Sequence, residues 1–127
     1  MQRTFAKWGT ILMALSVGIG AFGAHLLEPR IGADAIGVYE TGVHYHMIHG
    51  LGLLLISLTA GQIGESKSLK WAGWLLVAGI ILFSGSLYVL SITGIKVLGA
   101  ITPLGGVAFI AGWLCYLSAF LRSKKVS

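Results

Sequence analysis

The sequence predicts an all-α integral membrane protein, with four transmembrane helices in an up-down bundle and both termini in the cytoplasm. Three observations carry that expectation. Hydrophobic residues make up 56% of the 127 residues and charged residues only 10%, against roughly 25% charged residues in a soluble domain. Four stretches free of Lys, Arg, Asp and Glu, 8–27, 43–61, 71–92 and 102–121, reach the length of about 20 residues that a helix needs to cross a core about 30 Å thick. Lys and Arg, finally, gather on alternate connectors. The whole of 1–127 reads as one transmembrane domain, and with a single cysteine, Cys115, it holds no disulfide framework.

Backbone polar groups find no water in hydrocarbon, so each apolar stretch must be helical. Arg3 and Lys7 precede the first span, 8–27. A cleaved signal peptide is the competing reading, but this apolar run exceeds the roughly 7–15 residues of a signal core. Pro29 disfavours helical geometry at Glu28 and is expected to end that first helix. The connector 31–42 mixes Asp34 and Glu40 with Ile36, Val38 and Tyr39, and reads as an interfacial helical turn or two feeding span 43–61. The connector 62–70 is polar, and Ser66 or Ser68 is the candidate cap of the helix carrying span 71–92. Trp71 and Trp74 mark the interface at its start. After the short connector 93–101, Pro103 suits the first turn of the last helix.

Orientation follows from the cations. Arg3, Lys7, Lys67, Lys70, Arg122, Lys124 and Lys125 fall on one side, and only Arg30 and Lys96 on the other. Seven against two puts both ends in the cytoplasm. The net charge of +5 then matches anionic headgroups at about 1 kcal/mol per cation, and no basic face remains to bind nucleic acid.

Lipid tails supply no hydrophobic drive between helices, so small residues that admit close backbone approach must carry the packing. The candidates are Gly20 and Gly23 in the first span, Gly85 in the third, and Gly105, Gly106 and Gly112 in the fourth. The same faces suit a homo-oligomer or a larger membrane complex.

Polar residues gather toward the outer half. His25 ends the first span, and His44, His46 and His49 open the second. Ser84, Tyr88 and Ser91, four and three residues apart, share a face of the third, with Thr102 level with them. The expectation is a polar pocket lined by His25, Tyr45, His49, Ser84 and Tyr88, since ionisable groups at membrane depth are functional candidates. Three readings of it stay open. In the first, His25 donates to Glu28 or to a tyrosine on another helix, and the polar groups merely satisfy one another. In the second, His46 and His49, three apart on one face, join His25 around a metal or haem. In the third, a neutral-pH imidazole serves a proton, a quinone or a lipid headgroup.

Enzyme chemistry has no motif here. The chain lacks a nucleophile elbow, a glycine-rich phosphate loop before a lysine, and paired carboxylates on one span. Cys115 lies in the inner half of the last span, where a buried thiol is ordinarily inert. Trp8, Trp71, Trp74 and Trp113 read as interface belt or packing. No cofactor is implied.

The strings GAFGAH (20–25), ETGVHYHMIH (40–49), LFSGSLY (82–88) and TPLGGVAFIAGW (102–113) resemble the small membrane proteins of domain-of-unknown-function family 423. This is the YgdD/YwdK-like group of bacteria, with relatives in eukaryotes. The likeness runs in order over nearly the whole chain. It implies a four-span protein of the bacterial cytoplasmic membrane and brings no activity. Carried over by position, the matching residues are Gly20, Gly23, His25, Thr41, Gly42, Tyr45 and His49, then Ser84, Gly85, Ser86, Tyr88, Thr102, Pro103, Gly105, Gly106 and Gly112. His46 departs from the group, where glutamine is more usual, so a metal site using it is not implied for the family. The expected role is a non-enzymatic accessory or structural subunit in the bilayer. The alternative is a carrier or binding protein using the histidine pocket.

Overall fold

A computed structural model describes residues 1–123, so Lys124, Lys125 and Ser127 lie outside the described residues. In chain order the elements are α1 (Gln2–Phe22), a π turn (Gly23–Leu27), α2 (Glu28–Ile63), α3 (Lys67–Gly79), a second π turn (Ile80–Ser84), α4 (Gly85–Thr93), a 3-10 turn (Lys96–Ala100) and α5 (Thr102–Arg122). No strand occurs among the described residues. Three helical segments, Gln2–Ile63, Lys67–Thr93 and Lys96–Arg122, are long and apolar enough to cross a membrane.

The first of these doubles back on itself. Gly32, at φ 87° and ψ 171°, interrupts the helical backbone, a conformation closed to side chains with a Cβ. The break therefore falls at Gly32, and not at Pro29, which sits harmlessly in the first turn of α2. Beyond it α2 is already helical, burying Ile36 and Tyr39, so the connector expected over 31–42 is largely the start of a long helix. Ser57 Oγ donates to the Gln2 carbonyl at 2.7 Å and Tyr39 OH to the Ile19 carbonyl at 2.6 Å. Those two bonds tie α2 antiparallel to α1.

The other reversals also turn on glycine with positive φ, Gly64 at 88° and Gly94 at 72°. Ser66, the candidate cap, accepts the Leu69 N–H at 3.2 Å and starts α3. Pro103 sits in the first turn of α5 as expected.

Close approaches hold the helices together. Phe5 packs over Gly73 and Phe109 over Gly79, while Gly112 lies against Leu76 and the Ala72 carbonyl. The core they close includes Leu12, Leu53, Ile56, Leu69, Leu76 and Ile80. Of the expected packing glycines, Gly20 lies against Val43, Gly23 against the Tyr39 ring, and Gly105 against the Phe83 backbone. Gly106 is looser, its nearest neighbour Phe83 at 3.9 Å from the position of a Cβ. Gly85 is a correction: a Cβ there meets nothing within 4 Å, so it joins no helix contact inside the chain. The two π turns contain Gly23 and Phe83, so each sits at a close approach between helices.

The outer surface is apolar. Val17, Leu58, Val97, Val107 and Leu121 are strongly exposed. A water-facing domain does not present so continuous an apolar surface, whereas lipid wets it without cost.

Candidate functional site

Two polar clusters form where one pocket was expected. The first lies between α2, α4 and α1. Ser84 Oγ, fully buried, donates to the Gly42 carbonyl at 2.7 Å. The Tyr88 hydroxyl and His46 Nδ1 share a hydrogen bond of 2.8 Å, and the Tyr88 ring packs on Tyr39 at 5.3 Å between centroids. The four-residue spacing of Ser84 and Tyr88 gives both side chains to α2, as the sequence pattern predicts. His46 is 3% exposed, and its Nε2 lies within hydrogen-bond geometry of no partner among the described residues. Burying such an atom unpaired costs on the order of 1–3 kcal/mol.

The second cluster lies between α2, α5 and the second π turn. Trp113 Nε1–H donates to His49 Nε2 at 3.0 Å, and His49 Nδ1 bonds the Tyr45 carbonyl at 2.7 Å. An indole N–H only donates and a carbonyl only accepts. Nε2 must therefore carry the lone pair and Nδ1 the proton. The ring is neutral, its tautomer is fixed, and both nitrogens are engaged. His49 stacks on Phe109 at 3.6 Å with planes 11° apart, and Tyr45 leans on Phe83 at 4.5 Å. A cleft of about 600 Å³ opens here, its lining including Tyr45, His49, Phe83, Phe109 and Trp113 together with His44 and Gly106.

His25 belongs to neither cluster, which corrects the expected pocket. The first π turn directs Gly23 and Leu27 inward and leaves His25 exposed. There it lines a shallow cleft with Phe22, Leu26, Leu27 and Arg30, and makes no hydrogen bond to Glu28 or to a tyrosine. His25, Tyr45, His49, Ser84 and Tyr88 thus occupy three places. The candidate metal trio His25, His46 and His49 is not brought together, and no group of three or more His, Cys, Asp or Glu among the described residues is placed to hold a metal ion.

Trp113, Phe83 and Phe109 are not among the site candidates that the sequence marks. Trp113 offers one usable signal, since an indole N–H on an apolar stretch, away from water, requires an acceptor. Nothing in the sequence sets Phe83 or Phe109 apart from other packing aromatics.

The family described as "Protein of unknown function (DUF423)" matches residues 19–106. The chain is 51% identical to the UPF0382 membrane protein YwdK of Bacillus subtilis, over 95% of this chain and 98% of that protein. It is 48% identical to a UPF0382 membrane protein of Staphylococcus epidermidis, again over 95% and 98%. No solved structure matches it.

Proposed function

We propose a role from one premise: the chain belongs to the DUF423 family, proteins of unknown function whose relatives are named membrane proteins. The role is that of a small non-enzymatic accessory subunit of the bacterial cytoplasmic membrane. It crosses the bilayer four times, keeps both termini inside, and docks against copies of itself or a larger membrane complex. One observation carries the non-enzymatic reading. His49, Ser84 and Tyr88, interior groups suited to chemistry, each form a hydrogen bond to another helix and so fix helix register.

The fold at Gly32 supports four crossings, because the helices on either side of it each exceed the roughly 20 residues that one crossing needs. The cations support the orientation. The Met1 amino group lies 3.9 Å from Glu65, and Lys67 and Arg122 line one cleft, so the basic segments share one end of the bundle.

Cysteine labelling tests the topology. In a Cys115→Ser background, Arg3→Cys and Ser127→Cys should resist a membrane-impermeant maleimide added to intact cells, and Lys96→Cys should react. Labelling at Arg3→Cys or Ser127→Cys overturns the orientation. Extraction in mild detergent tests the role: a fixed multiple of the chain or a stoichiometric protein partner is expected, and a lone monomer contradicts it. The aromatic cleft favours a second reading, a carrier that stacks a flat amphiphile on Tyr45, His49 and Phe109.

A further inference from the structure

The basic end of the bundle carries a stripe that the accessory role leaves unused. Lys67, Lys70, Trp71 and Trp74 succeed one another at helical spacing on α3, so they share one face. They line a cleft of about 340 Å³. It adjoins a second cleft of about 480 Å³, which shares Lys67, Lys70 and Trp74 and adds Met1, Thr4 and Phe5. The lower wall is braced, because Phe5 and Trp8 both meet Trp74 edge-on, at 5.3 and 6.0 Å. Trp71 remains 63% exposed.

Among the described residues, the two lysines keep their charge to themselves. Glu65, the one acid lining these clefts, lies beside the Met1 amino group. Lys67 and Lys70 form no ion pair among the described residues. They stand on the first turn of α3, where the helix dipole adds positive potential. Two ammonium groups with no ion pair among the described residues thus share one cleft with two indoles. A free inorganic anion would use only the charged half of that arrangement, whereas an amphiphile with an anionic head uses both.

We propose that the Lys67/Lys70–Trp71/Trp74 stripe is a binding site for a single anionic phospholipid, its phosphodiester on the lysines and an acyl chain along the tryptophans. This goes beyond the general attraction of basic flanks to a membrane surface, because it assigns the lipid to one cleft. It depends on neither the number of crossings nor their orientation.

The full chain in a non-ionic detergent, titrated with brominated-chain phosphatidylglycerol or phosphatidylcholine, tests it through tryptophan quenching. Phosphatidylglycerol should bind about tenfold more tightly than phosphatidylcholine. Lys67→Gln with Lys70→Gln should abolish that preference. Arg3→Gln with Lys7→Gln, which removes equal charge outside the cleft, should preserve it. All four positions are accessible at the surface, Lys67, Lys70, Arg3 and Lys7 alike, and an unchanged far-UV spectrum and melting temperature certify the folds. Equal binding of the two lipids, equal loss in both double variants, or displacement of the lipid by millimolar inorganic phosphate would overturn the proposal.

Discussion

Gly105→Ala is expected to destabilise the bundle by about 1–3 kcal/mol, the range typical of an overpacked core. The added Cβ meets the backbone N and Cα of Phe83, which cannot swing aside as a side-chain tip would. Phe83 itself packs on Tyr45 at 4.5 Å and on Phe109 at 5.5 Å, so displacing it disturbs the whole aromatic cleft. Gly106→Ala, one residue along, finds its nearest neighbour at 3.9 Å and should change little. Gly85→Ala meets nothing within 4 Å, and removing a helical glycine there should gain up to about 0.5–1 kcal/mol. Thermal unfolding of the three variants in one detergent, monitored by circular dichroism, gives the comparison. Equal melting temperatures for Gly105→Ala and Gly106→Ala would refute the packing described.

His49→Leu is expected to cost about 1–3 kcal/mol, chiefly because it strands the Trp113 N–H without an acceptor. The cost should shrink when Trp113→Phe is added, since neither partner is then left unpaired. His25→Ala should stay within about 0.5 kcal/mol of the parent, because His25 is exposed and makes no hydrogen bond among the described residues. The same unfolding measurement, run as a double-mutant cycle on His49 and Trp113, reads the coupling. Strictly additive losses would mean that the hydrogen bond contributes nothing.

The difference between those two histidines marks how far the sequence can be read. Both lie within the residues 19–106 that the family matches, and the sequence groups them because each stands toward the same end of its apolar stretch. At 100° per residue, Gly23 and Leu27 continue the face of the buried Phe5, Gly9, Leu12 and Ser16, and His25 falls on the opposite face. Ser84 and Tyr88 are legible because their four-residue spacing delivers both to α2. Gly105 and Gly112 are legible because close helix approach demands small residues. Gly85 carries the same composition signal and opens on empty space. Composition marks where approach is permitted and does not say which face is used.

The helix ends divide in the same way. Ser66 and Pro103 act locally, through a side-chain cap and a fixed φ, and sit where the sequence places them. The reversal at Gly32 is masked in the sequence by Pro29, a more conspicuous breaker three residues earlier. A proline in the first turn of a helix breaks nothing, since the N–H it lacks would have had no partner there. Phe109 and Trp113, which pack on His49, come from far along the chain, and no local pattern announces such a meeting.

The central claim is that the buried histidines are structural and that the chain acts by packing. Native mass spectrometry of protein extracted in mild detergent, with an absorption spectrum and metal analysis on the same sample, tests it most directly. The expected result is the chain in a fixed multiple or with a stoichiometric protein partner. Apart from phospholipid, it should carry no bound mass, metal or chromophore, and His49→Ala should match the parent in this. A bound mass, metal or chromophore present in the parent and lost in His49→Ala would contradict the claim and make the aromatic cleft a ligand site.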